Sequence, residues 1–520
     1  MKKLKDQTLV TALKPALRRS LLLSVSLLAL AACSVTPEPI ELQEIAQTAV
    51  ADQSLIAASE EKVTGPLDLS TAVARALKFN LAHRVQIMEA ALANKSFELA
   101  KMDMLPILAA TAGATARDND NASSSTSVLT RRQSLEPSTS EDRERFNASA
   151  RFSWNVLDFG ISYLQANQEA NRYLVAELTR EKAMMQLVQQ VRTAFWRAAA
   201  MQMISGRVDT LLTEANKARA DLDRVLNARL RPPLRVLEEM RTLSEIIQQL
   251  ETMQQSVSAA RVDLAALINV PPSQEVKLVA PEALPMPPSP PTDLERQELM
   301  ALVNSGDYAA QLYNIRIEQL ESRKALIRLL PGVELFSAVN FDTNSYLYNQ
   351  TWAEVGARVN WNIMRLLAYD EIKDLNEGRK QLAVARRLAT NMAVITRLRL
   401  SHETYLSALE RLRRTRDIDS IDSEIRRLTL QAAASSATSG IAGVQSEVRA
   451  LRSTVANLLA YADAQNAYGL YMVSLGLSVA PEDYQSKSVE DLAGLVKAAF
   501  TKWEAGDFGE LPQIEAAVQK

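Results

Sequence analysis

Arg151-Phe152-Ser153-Trp154-Asn155-Val156-Leu157-Asp158 returns 207 residues later as Arg358-Val359-Asn360-Trp361-Asn362-Ile363-Met364-Arg365. Each copy closes an alternating, strand-like stretch and opens a proline-free segment of unusual length. A Leu-Pro pair stands before each unit, at Leu105-Pro106 and Leu330-Pro331, an offset of 225. Asp68-Leu69 and Leu77 recur as Asp293-Leu294 and Leu302 at the same offset, and Glu239, Arg241 and Leu243 meet Glu447, Arg449 and Leu451 at 208. Several anchors in one order mark an internal duplication, which constrains the architecture before any single residue is read. The offset falls by 18 between the Leu-Pro and Trp-Asn anchors, so the first copy carries a longer loop. Its polar run from Asp118 to Ser127 cannot pack a core.

The two strand-like stretches alternate strictly. Phe146, Ala148, Ala150, Phe152 and Trp154 interleave with Asn147, Ser149, Arg151, Ser153 and Asn155, and Val355, Ala357, Val359 and Trp361 with Gly356, Arg358, Asn360 and Asn362. Val333, Leu335, Val339 and Phe341 follow the same rule, with Phe336 off pattern. Period two gives a strand one apolar and one polar face. About ten residues suffice for a tilted strand to cross a bilayer. The expected lipid-facing residues are Phe152, Trp154, Val359 and Trp361; the expected water-facing ones are Arg151, Asn155, Arg358 and Asn362. Four strands cannot close a membrane barrel, which needs about eight at least, so several chains must contribute.

The segments between are helical. Met201, Ile204, Val208, Leu211, Ala215, Ala218, Leu222 and Val225 recur at 3-4 spacing, as do Val444, Val448, Leu451, Val455, Leu458 and Ala462. Both patterns are coiled-coil seams. The spacing predicts a first repeat over 66–279, with a hairpin at about 107–157, a long helix at 160–231 and a return helix at 234–269. A proline-rich linker spans 280–291. The second repeat, 292–477, carries a hairpin at about 332–363, a long helix at 366–433 and a return helix at 441–475; 478–520 is a tail. Low Gly and aromatic content and abundant helix formers suit this plan.

The first 32 residues hold six Lys or Arg, one acid and a twelve-residue apolar run, Leu21 to Ala32. That run is too short for a spanning helix and fits a signal peptide. It ends Leu30-Ala31-Ala32-Cys33, similar to a bacterial lipoprotein signal, which implies acylation of Cys33 and an acylated leader over 33–65. A lone cysteine forms no disulfide within the chain. The full chain has net charge −2, which gives no basic field for nucleic acid. His83 and His402 stand alone and predict no zinc site, which needs three or four convergent ligands. No carboxylate pair or phosphate loop marks an enzyme, and no cofactor is expected.

The duplication, the opening Leu67-Asp68-Leu69-Ser70-Thr71-Ala72-Val73-Ala74-Arg75-Ala76-Leu77, the Leu-Pro and Trp-Asn anchors and the closing Tyr471-Met472-Val473-Ser474-Leu475-Gly476-Leu477 together resemble the TolC-like outer-membrane efflux and secretion factors over about 66–477. The resemblance implies a homotrimer with twelve strands in one outer-membrane β-barrel above a long periplasmic α-barrel. It implies a periplasmic adaptor (membrane fusion) protein, an inner-membrane transporter as energy source, and outer-membrane lipid around the strands and at the anchor. The expected function is a passive exit duct of a tripartite efflux or type I secretion system; the alternative is a periplasmic coiled-coil scaffold lipoprotein without a pore. The helical turns are the expected entrance and adaptor tip: Arg229, Arg231, Pro232, Pro233 and Arg235 in the first, Gly440, Gly443 and Glu447 in the second. Here the chain departs from the family pattern, with arginines in the first turn and no acid from Gly443 to Ser446. Three copies of Arg231 and Arg235 predict an electropositive rim, with Glu238, Glu239 and Glu447 the nearest acids.

Overall fold

The computed structural model describes residues 37–59, 63, 65–271, 273–280, 284–434, 440–481 and 483–506. The signal segment, Cys33, the second turn at 435–439 and the end of the tail lie outside the described residues. The chain divides into an N-terminal unit, Met1–Glu60, and a main unit, Glu61–Lys520. Within the first, α1 (Leu42–Ser59) is a single helix.

The main unit repeats its plan from its caps upward. Asp68 caps α2 (Leu69–Phe79) by accepting from Thr71 N, and Asp293 caps α6 (Leu294–Val303) by accepting from Arg296 N. Asn80 caps α3 (Leu81–Met102) through His83 N, and Ser305 caps α7 (Gly306–Ile327) through Tyr308 N. All four positions obey the 225 offset. Short polar side chains here satisfy helix-start amides that nothing else reaches.

Beyond each Leu-Pro pair the chain becomes strand. β1 (Ile107–Ala116), β4 (Glu144–Asn155), β5 (Gly332–Asp342) and β6 (Thr351–Asn360) form one antiparallel sheet in the order β1-β4-β5-β6, so β4 and β5 join the two repeats. The long loop of the first copy adds a two-residue ladder, β2 (Ala122–Ser123) with β3 (Ser138–Thr139). Asn344 ties the outer loops together: its Nδ2 donates to Ser140 O and its Oδ1 accepts from Asp142 N.

From the sheet two long helices descend. α4 (Val156–Asn227) has 72 residues, roughly 108 Å at 1.5 Å per residue. Asn155 caps it, accepting from Leu157 N and Asp158 N. Its counterpart starts later than expected: Ile363–Ala368 forms a 3-10 turn, and α8 (Tyr369–Ala434) follows. α4 stops where Arg229 takes φ +54° and Pro232-Pro233 follows, and α5 (Pro233–Leu267) returns. Met201, Ile204, Val208, Leu211, Ala215 and Leu222 are buried against Val236, Met240, Leu243, Ile246 and Leu250. α9 (Gly440–Ser474) returns along α8 with Val448, Leu451 and Leu458 buried.

The broadest core lies midway. Trp196 meets Phe195 and Tyr461 edge-on at 5.7 and 5.3 Å. The linker is strapped along α8: Tyr405 Oη donates to Pro288 O and the Arg416 guanidinium to Leu284 O. Leu412, within the basic run 411–416, is fully buried. In the tail, α10 (Val489–Glu504) closes over α2, and Phe500 and Trp503 lie 4.7 and 5.6 Å from the Arg192 guanidinium. His83 packs against the tail as well, its Nε2 2.6 Å from Tyr484 Oη.

Candidate membrane sheet and helical entrance

The strand register sorts side chains by face, because residues directly opposite in an antiparallel ladder share one. Trp154 opposes Leu335, which opposes Ala357; Phe152 opposes Leu108; Ala150 opposes Ala110 and Val339; Val333 opposes Val359. One face is thus Ala, Val, Leu, Phe and Trp, interrupted by Ser337 and Thr351 and, at the loop end of β4, by Glu144, and much of it is exposed. The opposite face carries Asn147, Ser149, Arg151, Ser153, Asn155, Glu334, Asn340, Glu354 and Arg358. Phe152, Trp154 and Val359 fall on the apolar side, Arg151, Asn155 and Arg358 on the polar side.

Trp361 and Asn362, expected as barrel residues, lie just past the strand. β6 ends at Asn360. Trp361 instead donates its Nε1–H to Leu329 O at 3.0 Å, which draws the indole to the turn before β5, and Asn362 precedes the 3-10 turn. The hydrogen-bonding indole outcompetes the alternating pattern at the strand's end.

Phe336, the off-pattern residue, lies on the polar face. Its ring covers Gly356 of the next strand: a Cβ there would stand 2.5 Å from Phe336 Cζ. The Arg151 guanidinium lies 4.1 Å from the ring centroid and that of Arg358 5.7 Å. Arg151 also reaches Glu334 at 3.1 Å. Nothing in the sequence pairs these residues; only the break in alternation pointed to Phe336.

At the far end, Arg229, Arg231, Pro232, Pro233 and Arg235 are exposed, as are Leu230, Leu234 and Leu237. Arg231 has one of the nearby acids as its partner. Its guanidinium grips Glu239 with two hydrogen bonds, 2.6 and 2.9 Å, and hydrogen bond and charge together hold its proton more tightly than usual. Arg229 and Arg235 make no ion pair among the described residues. Glu447, at the repeat position of Glu239, pairs with Arg426 of α8 at 3.2 Å. Both acids are therefore used within their own hairpins. Gly440 opens α9; a Cβ on Gly443 would touch only Leu430 Cδ2, at 3.9 Å, so no close approach demands glycine there.

The layer's edges went unread in the sequence. Near the sheet, α3, α4, α7 and α8 pack side by side in that order, so α3 and α8 lie at the edges, beneath β1 and β6. α3 exposes Leu81, Val85, Met88, Leu92, Leu99 and Met102; α8 exposes Leu375, Leu382 and Met392, with Gly378, Ala385 and Ala389 between them at the same 3-4 spacing. Across the layer, Asp307 ties three helices, 2.8 Å from Lys182 and 3.2 Å from Arg397. Burial opposes its charge, yet the two cations hold its carboxyl below the usual range.

Among the described residues, no group of three His, Cys, Asp or Glu could hold a metal, and no helix is long and apolar enough to cross a membrane. No family model and no curated protein matches the sequence. Solved structures do match. The chain is similar to the CmeC outer membrane channel of Campylobacter jejuni, at 11% identity over 82% of this chain and 89% of that one, TM-score 0.62. It is similar to the outer membrane protein VceC of Vibrio cholerae, at 15% identity over 78% and 96%, TM-score 0.58. The MtrE outer membrane channel of Neisseria gonorrhoeae, solved in an open state, shares 16% identity over 78% and 88%, TM-score 0.58.

Proposed function

We propose that this chain, which has the fold of the TolC-like outer-membrane channels, is one protomer of a trimeric exit duct through the outer membrane and periplasm. The observation that carries the reading is the match between open edges. β1 and β6 have unpaired backbone edges, and directly below them α3 and α8 carry exposed apolar stripes. A buried strand edge must be paired, and an apolar stripe must be covered. The two stripes differ, so copies join head to tail, and such a contact closes into a ring when its rotation allows. Three copies make a twelve-stranded barrel, with its apolar face to lipid and its polar face to water.

The duct itself is passive. Substrates reach it from an inner-membrane transporter through a periplasmic adaptor, which docks at the helical turns. Leu230, Leu234 and Leu237, exposed beside unpaired Arg229 and Arg235, support the turn at 229–236 as that contact. Acylation of Cys33 adds an anchor to the barrel. Mass spectrometry of the mature chain is expected to show a lipid on Cys33 and no residues 1–32.

The full protein, purified in detergent and added to a planar bilayer, is expected to give discrete conductance steps and to cross-link as a trimer. A monomer that conducts nothing would leave the scaffold reading instead.

A further inference from the structure

We propose that Arg358, held by Phe336 on the polar face of the sheet, forms an anion-selecting site in the barrel lumen. The proposal rests on the duct reading, which turns that face toward water.

Glu334 stands directly across the ladder from Arg358 and is its expected partner. The structure pairs them otherwise. The Glu334 carboxylate goes to Arg151 at 3.1 Å, and Arg358 goes to the Phe336 ring at 5.7 Å, with no ion pair among the described residues. The ring does this because its outer end lies over Gly356 of the next strand. Gly356 leaves the space beneath it, which any Cβ would fill at 2.5 Å from Cζ. Its π face then draws both guanidiniums. The result is a layer in which Arg151 and Glu334 cancel and Arg358 keeps its full charge and its free N–H donors. The nearest acid along its own strand face, Glu354, is four residues on, roughly 13 Å at 3.3 Å per residue, beyond the Debye length of about 8–10 Å. Three protomers set three such cations around one water-filled level, beside the helix end of the strands. A fixed guanidinium offers planar donors to chloride, carboxylates or phosphates, and repels cations.

The test is the reversal potential of the full-length protein in a planar bilayer under a KCl gradient. Arg358→Gln should reduce the preference for chloride over potassium about fivefold, the effect of one unit charge at 4 Å in water. Glu334→Gln should raise it. Phe336→Leu keeps every charge but frees Arg358 to meet Glu334, so it should lower the preference in the same direction as Arg358→Gln. Gly356→Ala, which unseats the ring, should match Phe336→Leu. Channels of Arg358→Gln with an unaltered reversal potential would overturn the site while leaving the duct intact. A wild-type protein with no conductance would instead overturn the duct reading itself, and this site with it.

Discussion

His83 is 3% exposed, capped by Asn80 at its backbone and bonded to Tyr484 Oη through Nε2. Burial lowers its pKa to about 4, with the nearby Arg180 charge acting in the same direction. The folded chain therefore holds the ring neutral, whereas the unfolded chain binds a proton near pH 6.5. The sign follows: the contribution is fully present above pH 6.5 and is lost progressively as pH falls toward 4. At 1.36 kcal/mol per pKa unit the loss is at most about 3 kcal/mol. His83→Gln is expected to flatten the fall in unfolding temperature between pH 7 and 5, measured in detergent by circular dichroism. An equal fall in both proteins would rule His83 out as the acid-sensitive contact. The sequence shows His83 only as an isolated histidine; its tyrosine partner 401 residues away was not visible there, because nothing local links the two.

At the level of elements, the α4–α5 hairpin depends on its seam more than on its turn. Leu243 is fully buried. Leu243→Ala removes apolar contacts and leaves a cavity, an expected cost of about 2–5 kcal/mol, readable as a lower denaturation midpoint. The Arg231–Glu239 pair is solvent-exposed and screened by salt, so Arg231→Ala should leave that midpoint nearly unaltered. If Arg231→Ala destabilised the hairpin more than Leu243→Ala, the turn would be the element's anchor. The seam was legible because packing against an adjacent return helix imposes a period on the sequence. The ion pairs were not: Glu239 and Glu447 occupy one repeat position, yet one bonds eight residues back within the turn and the other reaches Arg426 on the preceding helix.

Over the whole molecule, the unsatisfied features collect at two edges. Among the described residues, the Leu81–Met102 stripe and the Leu375–Met392 stripe stay exposed. In the proposed duct Leu92→Asp or Leu382→Asp puts a charge into a seam covered by a neighbouring copy, where an unpaired charge is costly. Each is expected to abolish the trimer in size-exclusion chromatography with light scattering, while far-UV circular dichroism stays helical. A trimer that tolerated both would mean that other surfaces join the copies.

The duplication, the alternating strands, the long helices and the two-faced character of the sheet are legible in the residues alone, because each is a periodic demand that backbone geometry writes into neighbouring residues. The repeat register also singled out Asp68 and Asp293, which the structure uses as helix caps. Which groups meet was settled in three dimensions: the joining of β4 to β5 across the repeats, the bond from Trp361 to Leu329, the grip of Arg231 on Glu239, the strapping of the linker by Tyr405 and Arg416, and Arg358 over Phe336 with no ion pair among the described residues. The side-chain contacts among these join groups 8 to 132 residues apart, each chosen from several partners within reach, and such a choice has no period to read.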